Sequence, residues 1–99
     1  DLGGLTVAYK AYEKSLEGKP RKTIAGFTPE QRFFLGWAQV WAGSIRPEAA
    51  RQRTKTDPHP LDRFRVNAPL RNLPQFAEAF QCKDGDAMVR PADERCQIW

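Results

Sequence analysis

A chain of 99 residues, 40% apolar and 28% charged, has room for one small domain and enough apolar content to fold, which excludes both a multidomain protein and a disordered one. Its 16 Lys and Arg against 12 Asp and Glu leave a net charge of +4 without a run of like charges, a weak preference for acidic partners that does not specify nucleic acid. No apolar run reaches the ~18–20 residues of a membrane span and no signal peptide is present. The chain opens on Asp1-Leu2-Gly3-Gly4, without methionine, and is expected to continue from something longer, so the missing export signal does not place the parent protein.

Leu5, Ala8, Tyr9, Tyr12 and Leu16 recur at helical spacing, with Lys10, Glu13, Lys14 and Glu17 opposite, and predict an amphipathic first helix that Gly18-Lys19-Pro20 stops. Residues 18–27 read as an exposed connection. Thr28-Pro29-Glu30-Gln31 is the strongest helix start in the chain: Thr28 caps, Pro29 suits the first position and Gln31 closes a capping box. The helix that follows carries Phe33, Phe34, Leu35, Trp37, Ala38, Val40 and Trp41 around most of its circumference. A chain of this size cannot cover so much apolar surface, so part of the 29–42 helix is expected to face missing chain or a second copy of this one.

Ser44 to Pro47 breaks that helix, and Glu48 to Thr54 predicts a third, mostly polar one. Phe64-Arg65-Val66 is the one segment with an extended, pairing pattern. Asn72-Leu73-Pro74-Gln75 starts a fourth helix, with Leu73, Phe76, Ala77 and Phe80 on one face, running to about Cys82. The tail beyond it is turn-rich. The fold class is therefore mainly α, with about four helices, an irregular loop around the single histidine and an irregular tail.

That loop, Lys55 to Arg65, is where chemistry is expected. Pro58 and Pro60 bracket His59, fix their own φ and press the preceding residues toward extended conformations, so the imidazole is held on a stiff segment. Two readings stand for it and for Arg65, six residues on. In one, His59 donates a hydrogen bond to developing negative charge and Arg65 offers its five donors to a carbonyl or carboxylate. In the other, His59 makes a structural hydrogen bond and Arg65 sits in a surface ion pair. Cys82 and Cys96 either close a loop, a cross-link worth roughly 3 kcal/mol, or remain free thiols. Their spacing with the lone histidine matches no zinc-ligand pattern.

Read in order, Asp1-Leu2-Gly3-Gly4, Phe33-Phe34-Leu35, Ala38-Gln39-Val40-Trp41, Arg46-Pro47-Glu48, Asp57-Pro58-His59, Phe64-Arg65-Val66, Phe76-Ala77-Glu78-Ala79-Phe80 and Cys96-Gln97-Ile98-Trp99 resemble the C-terminal segment of the neprilysin family of zinc metallopeptidases. The resemblance covers almost the whole chain and makes residues 1–99 a C-terminal fragment of a thermolysin-like (gluzincin) catalytic domain. It implies zinc in the parent enzyme, held by an upstream HExxH helix and by a Glu four residues before Asp1. This chain would then hold no metal ligand, bind no zinc alone and be inactive alone. Asp1 matches the aspartate that orients a zinc-binding histidine. His59 matches the histidine that donates, as a fixed neutral group, to the oxyanion of the tetrahedral intermediate, and Arg65 the arginine that holds a substrate backbone carbonyl.

The implied partners are oligopeptide substrates and the rest of the catalytic domain, and the implied location is periplasmic, secreted or membrane-anchored with an extracytoplasmic catalytic domain. Departures bear on the cysteines: animal members often carry a cysteine where this chain has Ala42, and pair their tail cysteines with upstream partners. The resemblance thus points to a reduced, bacterial-type set with a Cys82–Cys96 bridge. His59 is followed by Pro60, where animal relatives usually have Ser-Pro. The competing function is a non-catalytic helical interaction module built on the aromatic helix. A nucleic-acid binder using Arg51, Arg53, Lys55, Arg63 and Arg65 is disfavoured because no aromatic stacking platform accompanies these charges.

Overall fold

The computed structural model describes residues 1–98; Trp99, the last member of the Cys96–Trp99 motif, lies outside the described residues. Five helices follow in order: α1 (Leu2–Ser15), α2 (Pro29–Val40), α3 (Pro47–Thr56), α4 (Asp62–Arg71) and α5 (Pro74–Ala79), with a short 3₁₀ turn at Ala92–Glu94. The described residues contain no strand beyond an isolated bridge between Ile24 and Phe27.

The capping box forms as its residue types require. The Gln31 N–H donates to Thr28 Oγ1 and the Thr28 N–H donates to Gln31 Oε1, satisfying two donors that a helix start otherwise leaves unpaired. The Gln31 side chain also donates to the Ala79 carbonyl, which ties the start of α2 to the end of α5. Arg21, in the connection after α1, reaches both Glu13 of α1 and Glu30 of α2.

α4 packs against α1, α2 and α5, and α2 against α5. Their shared core is small: Leu5, Phe34, Leu70 and Leu73 are buried together, with Tyr9, Phe33, Trp37, Val66, Phe76 and Phe80 around them. Phe34, 1% exposed, is the centre. Tyr9 stacks on it, and Phe33 and Phe76 meet it edge-on, at centroid distances of 5.1 to 5.5 Å. The rest of α2 is only partly covered by its own chain, and Val40 is 69% exposed. The Cα radius of gyration of 15.3 Å exceeds the ~13 Å of a compact chain this long, in keeping with the small core.

Four expectations are corrected. Phe64-Arg65-Val66 is not extended but lies inside α4, because the covered residues Asp62, Arg65, Val66, Pro69 and Leu70 repeat at helical spacing. Among the described residues the α-helices number five, since α4 adds one to the about four predicted. The last helix ends at Ala79 rather than near Cys82: Gln81 takes a left-handed φ of 55° and the Cys82 N–H turns back to the Ala77 carbonyl. Cys82 and Cys96 are both free thiols, so the bridge between them is not formed; the Cys96 N–H is instead held by Asn72 Oδ1 at the end of α4.

Candidate active site

Three helix ends converge on Arg65. The residue lies in the early part of α4, on the stripe that faces the other helices, and packing of α4 on α1 brings its guanidinium to Asp1, the N-cap of α1. Arg65 Nε donates to Asp1 Oδ2 at 2.8 Å and Nη2 donates to Oδ1 at 2.7 Å. Asp1 consequently makes no side-chain cap on its own helix. The guanidinium carbon lies 3.9 Å from the ring centroid of Trp41, the C-cap of α2. A planar cation clamped by a carboxylate fork at its edge and an indole on its face has little freedom left. The side chains of Arg65 and Asp1 are 17% and 25% exposed, far from an ordinary solvated pair. Nη1 has no partner among the described residues and remains free to donate.

His59 sits on the five-residue connection between α3 and α4, where the prolines keep the backbone out of either helix. Its side chain is 60% exposed. Asp57 Oδ1 accepts both the His59 backbone N–H, at 2.9 Å, and Nδ1, at 2.8 Å. These two bonds, the backbone one first, and a longer contact from Arg53 hold the Asp57 carboxyl below its usual 3.8, so it is a carboxylate at neutral pH. A carboxylate only accepts, which puts the ring proton on Nδ1 and turns Nε2 outward. In the neutral ring that outward nitrogen is an acceptor. It would donate only in the imidazolium, whose charge Asp57 would balance.

The sequence-predicted residues thus fall into two groups. Asp1 and Arg65 are bonded together, while His59 has Asp57 as its partner and no hydrogen bond to that pair. Both of the blander readings are realised in part: His59 does make a local hydrogen bond and Arg65 does make an ion pair. Each still leaves one nitrogen uncommitted, Nη1 of Arg65 as a donor and Nε2 of His59 as an acceptor in the neutral ring. Sequence reasoning missed Trp41 as the platform for Arg65, having read it only as apolar surface, and missed Asp57 and Arg53 as supports of the histidine. The spacing Asp-x-His was the available signal for Asp57, because an Asx side chain accepts readily from the backbone N–H two residues on.

Among the described residues no three His, Cys, Asp or Glu side chains converge to hold a metal ion. A catalytic zinc does not fit the residues present here.

Residues 1–98 match the model of Peptidase family M13. The chain belongs to this family. This M13 chain is 46% identical over 102 aligned positions to human Membrane metallo-endopeptidase-like 1 and 40% identical to human Endothelin-converting enzyme 1. All of the chain is covered in both comparisons, against 13% of each relative. In structure it is similar to the Mycobacterium tuberculosis zinc metalloprotease Zmp1 in its open state, with a TM-score of 0.92 and 42% identity over 99% of this chain and 15% of that one. The mainly helical architecture is that of the C-terminal helical part of an M13 peptidase.

Proposed function

We infer that this M13 chain is part of the catalytic domain of a zinc-dependent metalloendopeptidase acting on oligopeptides. The observation that carries the reading is the family match itself, which spans residues 1–98 and so includes the stretches that hold Asp1, His59 and Arg65. The metal and its ligands are assigned, on the resemblance to the family, to the remainder of the domain.

Arg65 holds a backbone carbonyl of the bound peptide through Nη1, the nitrogen that Asp1 leaves free. Trp41 beneath the guanidinium and the Asp1 fork at its edge fix where that donor points, so the peptide is oriented before reaction. Asp1 spends two of its roughly four acceptor sites on Arg65 and keeps the others for the N–H of a zinc-binding histidine. His59 donates from Nε2 to the carbonyl oxygen as it takes on negative charge, with Asp57 balancing the imidazolium. The apolar surface left on α2, including Val40, seats against the remainder of the catalytic domain. In the isolated chain that surface would serve for self-association. The relatives named as a membrane metallo-endopeptidase-like protein and an endothelin-converting enzyme favour an extracytoplasmic location.

The test is hydrolysis of an internally quenched oligopeptide by the full-length enzyme before and after chelation. Loss of turnover on chelation and its return with added zinc is the expected result. Hydrolysis indifferent to the chelator would reject the reading.

A further inference from the structure

Among the described residues α3 buries no side chain and does not share in the packing of α1, α2, α4 and α5. Yet its C-cap, Asp57, is the group that orients His59. Core packing therefore does not explain how the histidine loop is held at its α3 end. Arg53, in the last turn of α3, does. Its Nη1 donates to Asp62 Oδ1 at 3.0 Å, at the first residue of α4, and its Nε faces Asp57 Oδ2 at 3.4 Å. One guanidinium thus spans both ends of the loop.

We propose that Arg53 is a positioning residue for His59, acting by pinning α3 and the Asp57 carboxylate to the start of α4. This rests on the reading of His59 as the oxyanion donor. The Asp57 carboxylate is held from two sides, His59 on Oδ1 and Arg53 on Oδ2, so it cannot rotate without breaking one contact. Asp62 lies beside the α2–α3 connection, where Gly43 leaves it room: a Cβ there would lie 3.2 Å from Asp62 Oδ2. The side chains of Arg53, Asp57 and Asp62 are only 28 to 34% exposed, less than a solvated i,i+4 pair on a free helix would be. A lysine cannot replace the fork, because a single ammonium does not reach two carboxylates on diverging lines. Ion pairs of this exposure contribute little to stability, so the effect belongs in turnover rather than in melting temperature.

The experiment compares Arg53→Met, Arg53→Lys, Asp62→Asn, His59→Ala and the Arg53→Met/His59→Ala pair in the zinc-loaded full-length enzyme. Arg53→Met should lower kcat about tenfold with KM within about twofold, the scale of a donor displaced rather than removed. Arg53→Lys should recover only part of the loss. In the His59→Ala background the same Arg53→Met change should cost less than about twofold, since nothing remains to be positioned. Should Arg53→Met fail to fold, Asp62→Asn, which cuts only the α4 tie, carries the same expectation. Wild-type kcat in Arg53→Met, or an undiminished loss in the His59→Ala background, overturns the positioning role alone. Wild-type kcat in His59→Ala overturns the oxyanion reading and this inference with it.

Discussion

Arg65 and Asp1, separated by 64 positions in the chain, are joined by two hydrogen bonds of 2.8 and 2.7 Å over the face of Trp41. The pair is a tertiary tie, since it anchors α4 to the start of α1, and it holds the guanidinium in one orientation. Asp1→Asn should therefore destabilise the chain by about 1–2 kcal/mol in urea denaturation. Arg65→Lys, which keeps the charge and loses the fork, should raise KM for a peptide roughly tenfold with kcat little changed. Equal stability of Asp1→Asn and the unaltered chain would show that the pair is only a surface contact.

The small core concentrates stability in few residues. Phe34→Ala removes the side chain most fully covered among the described residues and should cost about 3–5 kcal/mol. Against the ~5–15 kcal/mol of an ordinary domain, that is enough to leave much of the chain unfolded at 37 °C. Circular dichroism against urea checks it, and a loss under about 1 kcal/mol would mean that the stacked Tyr9 and edge-on Phe76 do not depend on Phe34.

Much of this architecture was legible beforehand. The 3.6-residue spacing in residues 5–16, the Thr28–Gln31 box and the proline-bracketed loop each announce local structure through local residue types. α4 escaped because its covered stripe includes Asp62, Arg65 and Pro69, so a reading based on hydrophobicity sees Phe64 and Val66 alternate and proposes a strand. Charged side chains face inward there because each has a partner, Arg53 for Asp62 and Asp1 for Arg65, and partners that distant leave no mark on spacing. For the same reason Asp1, His59 and Arg65 could be matched to roles by resemblance, while the Trp41 platform and the Arg53 tie needed the fold.

Tyr9 gives the alkaline side of stability. Burial first, then the charges of Glu13, Glu30 and Glu78, push its phenol from 10.0 up to about 12. The folded state holds this proton more tightly than the unfolded chain, so its contribution is whole below pH 10 and is lost as pH rises toward 12. The urea midpoint should fall between about pH 9 and about pH 11.5, and fall less in Tyr9→Phe. An identical decline in both proteins would assign it to other groups.

Asp57 sets the acid side at the histidine loop. Its carboxyl is lowered from 3.8, chiefly by the His59 backbone N–H and imidazole, so its support of the loop is present above that value and is lost as pH falls through the lower folded one. A carbon-detected NMR titration should place its midpoint below 3.8. A midpoint at or above that figure would mean that the His59 bonds do not persist in solution.

The most direct test of the account is the steady-state kinetics of His59→Ala in the full-length zinc-loaded enzyme. Removal of one preorganised oxyanion donor predicts a fall in kcat of about 10²- to 10³-fold with KM nearly unchanged. A variant that turns over at the wild-type rate, or that loses only peptide affinity, would contradict it.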